Sequence, residues 1–178
     1  RCAFRTAATW IELTVETMGL FLPWIPDQER WAVFSATVDG HPVDDARVTG
    51  GSELHLGEPG GSRFVQGAPA LVRFELGGTG AEERRVDVWL PQTDRVEIRD
   101  VRADAPLRPA DGVDGPRWWH YGSSISHCIE ATTPRGVWPV VAADRLALDV
   151  TNLGFAANAH LDQFTARAMR DSGADLLS

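Results

Sequence analysis

Residues 10–16 alternate strictly, with Ile11, Leu13 and Val15 apolar against Glu12, Thr14 and Glu16 polar, and this period of two predicts a half-buried β-strand. The same pattern returns over residues 31–38, closed by Asp39-Gly40, and over 71–76, closed by Gly77-Gly78. It recurs over 85–90 and 96–101, and the opening Arg1-Cys2-Ala3-Phe4-Arg5 is also strand-like. Short strands punctuated by Gly, Pro and Asp turns predict an all-β sandwich over residues 1–107.

The stretch Arg108-Pro109-Ala110-Asp111-Gly112-Val113-Asp114-Gly115 is poor in apolar residues. Its prolines lack the N–H that a ladder needs, so residues 108–116 are predicted to link two domains. Beyond them the grammar changes to strand (118–122), helix (137–145), strand (146–152), helix (161–170) and strand (175–178). This order predicts parallel strands joined by crossover helices. In the last helix Leu161, Phe164, Ala168 and Met169 recur near the helical period, and Gly173 is placed to end it. Open α/β sheets carry their chemistry at the carboxyl ends of the strands, which directs attention to the loops after Tyr121 and Thr151.

Composition narrows the partners. A hydrophobic share of 43%, a charged share of 24% and a formal charge of −8 fit a globular chain with no basic field to attract phosphate. Nucleic acid and anionic membranes are therefore not expected partners. Cys2 and Cys128 lie far apart and make neither metal-site nor disulfide-framework spacing. With no charged-then-apolar leader pattern at the start, the expected compartment is reducing and cytoplasmic.

The first loop reads Gly122-Ser123-Ser124-Ile125-Ser126-His127-Cys128. Glycine allows a sharp bend, and a serine opening the next helix has unpaired N–H groups beside its hydroxyl, ready to hold a developing oxyanion. The same serines would also serve as ordinary helix N-caps. About thirty residues on comes Asn152-Leu153-Gly154-Phe155-Ala156-Ala157-Asn158-Ala159-His160-Leu161-Asp162.

Together Gly122-Ser123-Ser124-Ile125 and Asn152-Leu153-Gly154 resemble blocks I and II of the GDSL/SGNH hydrolase family. With Gly136-Val137-Trp138-Pro139 between them, they look most like the branch reading GSSI(S/T)HC, GxWP and NLGxxxNxHLD. The resemblance implies a flavodoxin-like α/β domain, of which residues 117–178 are the N-terminal portion, behind a jelly-roll-like sandwich. It implies Ser124 as nucleophile, with the amides of Ser124 and Gly154 as oxyanion donors. Ser123 stands where most of the family has aspartate, and Ala156 and Ala157 stand where glycines are frequent. The family's asparagine block and its Asp-x-x-His pair are absent from this sequence. The apolar strand start at 175–178 leads to the expectation that both lie further along a longer protein.

Ser123, Asn158, His160 and Trp24 are candidate pocket residues. His160 beside Asp162 could line a pocket rim or cap the last helix. His120 and His127 are near Ser124 in sequence but not well aimed at its hydroxyl. Cys128 is expected to pack as a small apolar residue, His41 and His55 to be solvated, and most of the seven tryptophans to be core.

No metal or organic cofactor is indicated; the expected partners are a small-molecule ester or acyl donor, with acyl-CoA a candidate donor, and an alcohol acceptor. The readings left open are an esterase, such as a carbohydrate O-deacetylase, and an O-acyltransferase, since the resembled branch includes one that tailors aromatic polyketides. A rival of another class is a non-catalytic binding module attached to a hydrolase-like remnant.

Overall fold

In a computed structural model, which describes residues 1–22, 31–58, 60–110, 112 and 115–178, the chain divides into two compact units, Arg1–Ala110 and Asp111–Ser178. The first unit runs β1 (Cys2–Thr6), β2 (Trp10–Phe21), β3 (Ala32–Val38), β4 (His41–Val48) and β5 (Ser52–Glu58). It continues through β6 (Gly61–Val65), β7 (Ala70–Glu75), β8 (Arg84–Trp89), β9 (Asp94–Ala103) and β10 (Arg108–Pro109). One sheet has the order β10-β1-β8-β3-β4; the other has β6-β5-β2-β7, with β9 also paired to β2.

Alternation places Ile11, Leu13 and Val15 of β2 and Val72 and Phe74 of β7 in the same buried cluster as Phe34 of β3 and Val86 and Val88 of β8. The two sheets thus share one core. Burying each such side chain is worth roughly 1.5–3 kcal/mol, which is why the alternating stretches are the ones that set the layers.

The strands expected in residues 1–107 are present with shifted ends, but β4, β5 and β6 had no clear alternation and were not anticipated. Every residue of β6 is exposed, so this strand is held by its ladder to β5 and not by a buried face. The expected linker also begins too early: Arg108 and Pro109 pair antiparallel with Arg5 and Phe4. His55 is half-buried instead of solvated, stacked on Phe21 at 4.8 Å with its Nε2 2.7 Å from a Glu53 carboxylate oxygen. Trp31 and Trp138 are each 40% exposed and so are not core residues. Trp24 lies outside the described residues.

The second unit comprises β11 (Arg117–Gly122), α1 (Ser124–His127), α2 (Trp138–Leu146), β12 (Asp149–Gly154), α3 (Gln163–Asp171) and β13 (Leu176–Leu177). Its sheet has the order β12-β11-β13, parallel throughout. The second strand starts later than the expected residue 146, because α2 runs to Leu146 and closes on Ala147 in the left-handed conformation, φ 52°. α3 starts later than 161, because Asp162 is its cap: the carboxylate accepts from Thr165 N–H at 2.8 Å and from the Thr165 hydroxyl at 2.7 Å. These bonds hold the Asp162 carboxyl below its ordinary range. None of the residues of α3 is buried, and Phe164 is 72% exposed. Among the described residues no helix is long and apolar enough to cross a membrane.

Candidate active site

Strand alternation gives β11 two chemically different faces. Trp118, His120 and Gly122 point one way and Trp119 and Tyr121 the other. His120 lies edge-on to Trp138 at 4.9 Å, so α2 covers the first face. The Tyr121 hydroxyl accepts from Leu161 N–H at 2.8 Å on the second.

Gly122 ends β11, and a Cβ there would collide with the Ser126 side chain, so only glycine lets α1 fold back this closely. Ser123 follows at the N-cap position. Its side chain makes no capping bond, but its carbonyl accepts from Ser126 N–H (3.1 Å) and His127 N–H (3.0 Å). Ser124 opens α1, and its carbonyl accepts from Cys128 N–H at 2.8 Å, where Cys128 turns left-handed at φ 57° and closes the single turn. As first-turn residues, Ser124 and Ile125 have N–H groups outside the helical ladder. The Ser124 side chain is exposed, and among the described residues its hydroxyl has no protein partner.

The other serine of the turn is occupied. Ser126 is buried, its hydroxyl 2.7 Å from His120 Nε2, while His120 Nδ1 is 2.9 Å from the Ser178 hydroxyl. That hydroxyl also accepts from Trp118 Nε1 at 2.9 Å. Burial lowers the pKa of His120 and favours its neutral form. Both of its ring nitrogens are thus engaged away from Ser124.

Three contacts lock α1 to β12 and the loop that follows. Asn152 Nδ2 donates to the Ser126 carbonyl at 2.7 Å, leaving the buried Asn152 Oδ1 without a partner among the described residues. Gly154 packs against the Ser126–His127 peptide, where any Cβ would collide. Ala156 N–H donates to His127 Nδ1 at 3.3 Å.

This geometry bears on the donor role expected of Gly154. Asp149 N–H and Phe155 N–H both donate to β11, to the carbonyls of Pro116 and Gly122. In a parallel ladder alternate residues face the same neighbour, so the Gly154 amide points to the opposite edge of β12, away from the strand that leads to Ser124. Its lack of a side chain is what lets α1 approach β12 this closely. Among the described residues the amides of Ala157 and Ala159 in this loop have no partner, and Ala157 is the exposed one of the two, in the left-handed conformation at φ 59°.

Asn158 is exposed and staples the same turn, donating from Nδ2 to the Ala156 carbonyl at 3.2 Å. His160 is exposed and makes no cap; Asp162 fills that position. The sequence motif had pointed to this loop but not to the bond between His127 and Ala156, which joins positions 29 apart. The apolar pocket of about 350 Å³ lined by Tyr121, Leu161, Thr165, Ala166, Met169 and Leu177 lies on the α3 face of the sheet, not at Ser124. Among the described residues no three His, Cys, Asp or Glu side chains gather in a way that could hold a metal ion.

Solved structures share this architecture. Salicylyl-acyltransferase SsfX3 from a tetracycline biosynthetic pathway is 28% identical with a TM-score of 0.74, over 98% of this chain and 45% of that one. A protein described as a GDSL-like lipase from Bacteroides ovatus ATCC 8483 is 17% identical with a TM-score of 0.62, over 98% of this chain and 48% of that one. A family two carbohydrate esterase from Clostridium thermocellum is 13% identical with a TM-score of 0.57, over 86% of this chain and 44% of that one. The chain thus spans a little under half the length of the structures it matches. No family profile and no curated protein matches the sequence.

Proposed function

We propose that this chain carries the nucleophile of a serine-dependent acyl-transfer enzyme of the GDSL/SGNH type, in its GSSI branch, with Ser124 forming the acyl-enzyme. The observation that carries the reading is the contrast within one turn. The Ser124 hydroxyl is exposed beside unpaired amides, whereas the Ser126 hydroxyl is buried and bonded to His120.

In the reaction Ser124 Oγ attacks the acyl carbonyl carbon and gives up its proton to a base. The resemblance assigns that base to an Asp-x-x-His pair, which these 178 residues do not contain. The amides of Ser124 and Ala157 stabilise the negative oxygen of the tetrahedral intermediate. As that intermediate collapses, the bond to the leaving alcohol or thiol breaks and the leaving group takes up the proton. The acyl-enzyme then passes its acyl group to a second hydroxyl, from water to give an acid or from an alcohol to give a new ester.

Transfer to an alcohol is the preferred outcome, because the neighbour at 28% identity is by name an acyltransferase of a tetracycline pathway. An O-acyltransferase acting in aromatic polyketide biosynthesis, with an ester or acyl-CoA as donor, follows from that likeness. Hydrolysis, as in carbohydrate deacetylation, is the second reading; the esterase and lipase neighbours are 17% identical or less, a level that speaks to fold alone. A cytoplasmic site of action is proposed with it, in keeping with two free cysteines.

The test uses the full-length protein and a fluorophosphonate probe. Ser124→Ala should abolish labelling and lower turnover by about 10⁴-fold or more, while Ser126→Ala should keep the labelled serine. Labelling that survives Ser124→Ala would move the nucleophile to another residue, whereas an unmutated full-length protein that does not label would favour a binding module. Feeding acyl-CoA with and without an added alcohol then separates transfer from hydrolysis.

A further inference from the structure

The loop after β12 is attached to the nucleophile turn by a side chain that takes no part in the proposed chemistry. We infer that His127 is a positioning residue, whose Nδ1 holds the loop 155–158 so that the Ala157 amide faces the acyl oxygen on Ser124. The inference rests on Ser124 being the nucleophile.

Phe155 N–H is fixed to the Gly122 carbonyl at 2.8 Å, so the loop leaves the sheet at a defined point beside the bend that bears Ser124. Ala156 N–H is fixed to His127 Nδ1, which sets the plane of the peptide joining residues 155 and 156. The next carbonyl, that of Ala156, is held by Asn158 Nδ2 at 3.2 Å. In a trans peptide the C=O and N–H point in opposite directions, so tethering the Ala156 carbonyl aims the Ala157 N–H the other way. Ala157 sits at φ 59°, a conformation an L-residue other than Gly, Asn or Asp adopts only when its surroundings hold it there.

His127 is itself rigid: its backbone N–H is bonded to the Ser123 carbonyl, and Gly154 packs against its peptide. A histidine one turn after the nucleophile therefore couples two features. The helix turn that aims the attacking hydroxyl and the loop that offers the amide move as one piece. Losing the Nδ1 acceptor frees the loop without removing any group that touches the reacting atoms. The effect should accordingly fall on transition-state stabilisation and not on substrate capture.

The test compares His127→Ala, His127→Asn and His127→Gln in the full-length protein. Asparagine offers an acceptor near the position of Nδ1, whereas glutamine moves it one bond further along. His127→Ala should lower kcat about 10²-fold, the scale of losing one oxyanion donor, with KM little changed. His127→Asn should recover most of that loss, and His127→Gln should not. Inhibition by an arylboronic acid, which forms a tetrahedral adduct on the serine, should weaken in parallel with kcat across the series. A merely structural role would instead lower the fraction of enzyme that labels, leave kcat per labelled site unchanged and rank Asn with Gln; that pattern overturns the inference. Should the alanine variant not fold, the Asn and Gln pair carries the same contrast. If Ser124→Ala keeps full activity, the failure belongs to the choice of nucleophile; if Ser124→Ala is dead and the His127 series matches wild type, it belongs to His127.

Discussion

Gly154 and Ala157 stand three residues apart, and each departs from what an ordinary side chain would permit. Gly154 is needed where β12 meets α1, since a Cβ would drive into the Ser126–His127 peptide. Gly154→Ala should therefore push α1 off the strand, costing about 1–3 kcal/mol by overpacking and reducing turnover at Ser124 together with stability. Urea denaturation and a Ser124 labelling rate measure the two effects, and an unchanged rate would mean the close approach is not required for the chemistry. The bend that bears Ser124 was legible in the sequence because a strand, a glycine and a serine are contiguous, while the choice of Ser124 as nucleophile came from the resemblance of two motifs about thirty residues apart. The clamps around it were not, because Asn152 to Ser126 and His127 to Ala156 are bonds between side chains and distant backbone, for which hydrophobic pattern leaves no trace. The direction of the Gly154 amide was illegible for a related reason. Motif likeness names a residue, but only ladder phase decides which way its amide points.

At the scale of elements, the strands that could be read were those with one wet and one dry face. β2 and β7 bury every second residue, so their apolar positions advertise the pleat. β4 and β6 have little or nothing buried and are strands only because a neighbour supplies the ladder. The junction of β11 with α1 depends on His120, whose ring joins the strand to the buried Ser126 hydroxyl. Burial holds its pKa below the ordinary histidine value. The folded state therefore binds this proton less readily than the unfolded chain does. The associated stability is complete above the unfolded value of about 6.5 and is lost as pH falls from there through the lowered folded value. Trp118 and Trp138 flank the ring at 5.3 and 4.9 Å, so their fluorescence should report the change. Melting followed by that signal should move to lower temperature between pH 8 and pH 5, and His120→Gln should flatten the slope across this window. A melting temperature that rises on acidification would contradict the assignment.

The whole chain is uneven in how much it buries. The buried hydrophobic cluster built from β2, β3, β7 and β8 lies entirely within the first unit. In the second unit burial centres on Val137, Pro139, Val140 and Ala143 around α2, while α3 buries nothing and Leu176 and Leu177 of β13 are 47% and 54% exposed. Amides open to exchange at a free energy set by the contacts that close over them, so few buried contacts mean low local stability. In the 178-residue chain, hydrogen exchange should accordingly be slow for β2, β7 and β8, slower in α2 than in α3, and fast in β13. A dye that lights up on apolar surface should bind the native chain through the face lined by Leu161, Met169 and Leu177, and Met169→Lys should diminish that signal without altering exchange in β2. Equal protection of α3 and β2 would mean the open face is closed in solution. The distribution also bears on the chemistry. The bend carrying Ser124 is fixed by β11, β12 and α2, the better-buried side of its unit, so the nucleophile turn should be more protected than the apolar face across the sheet.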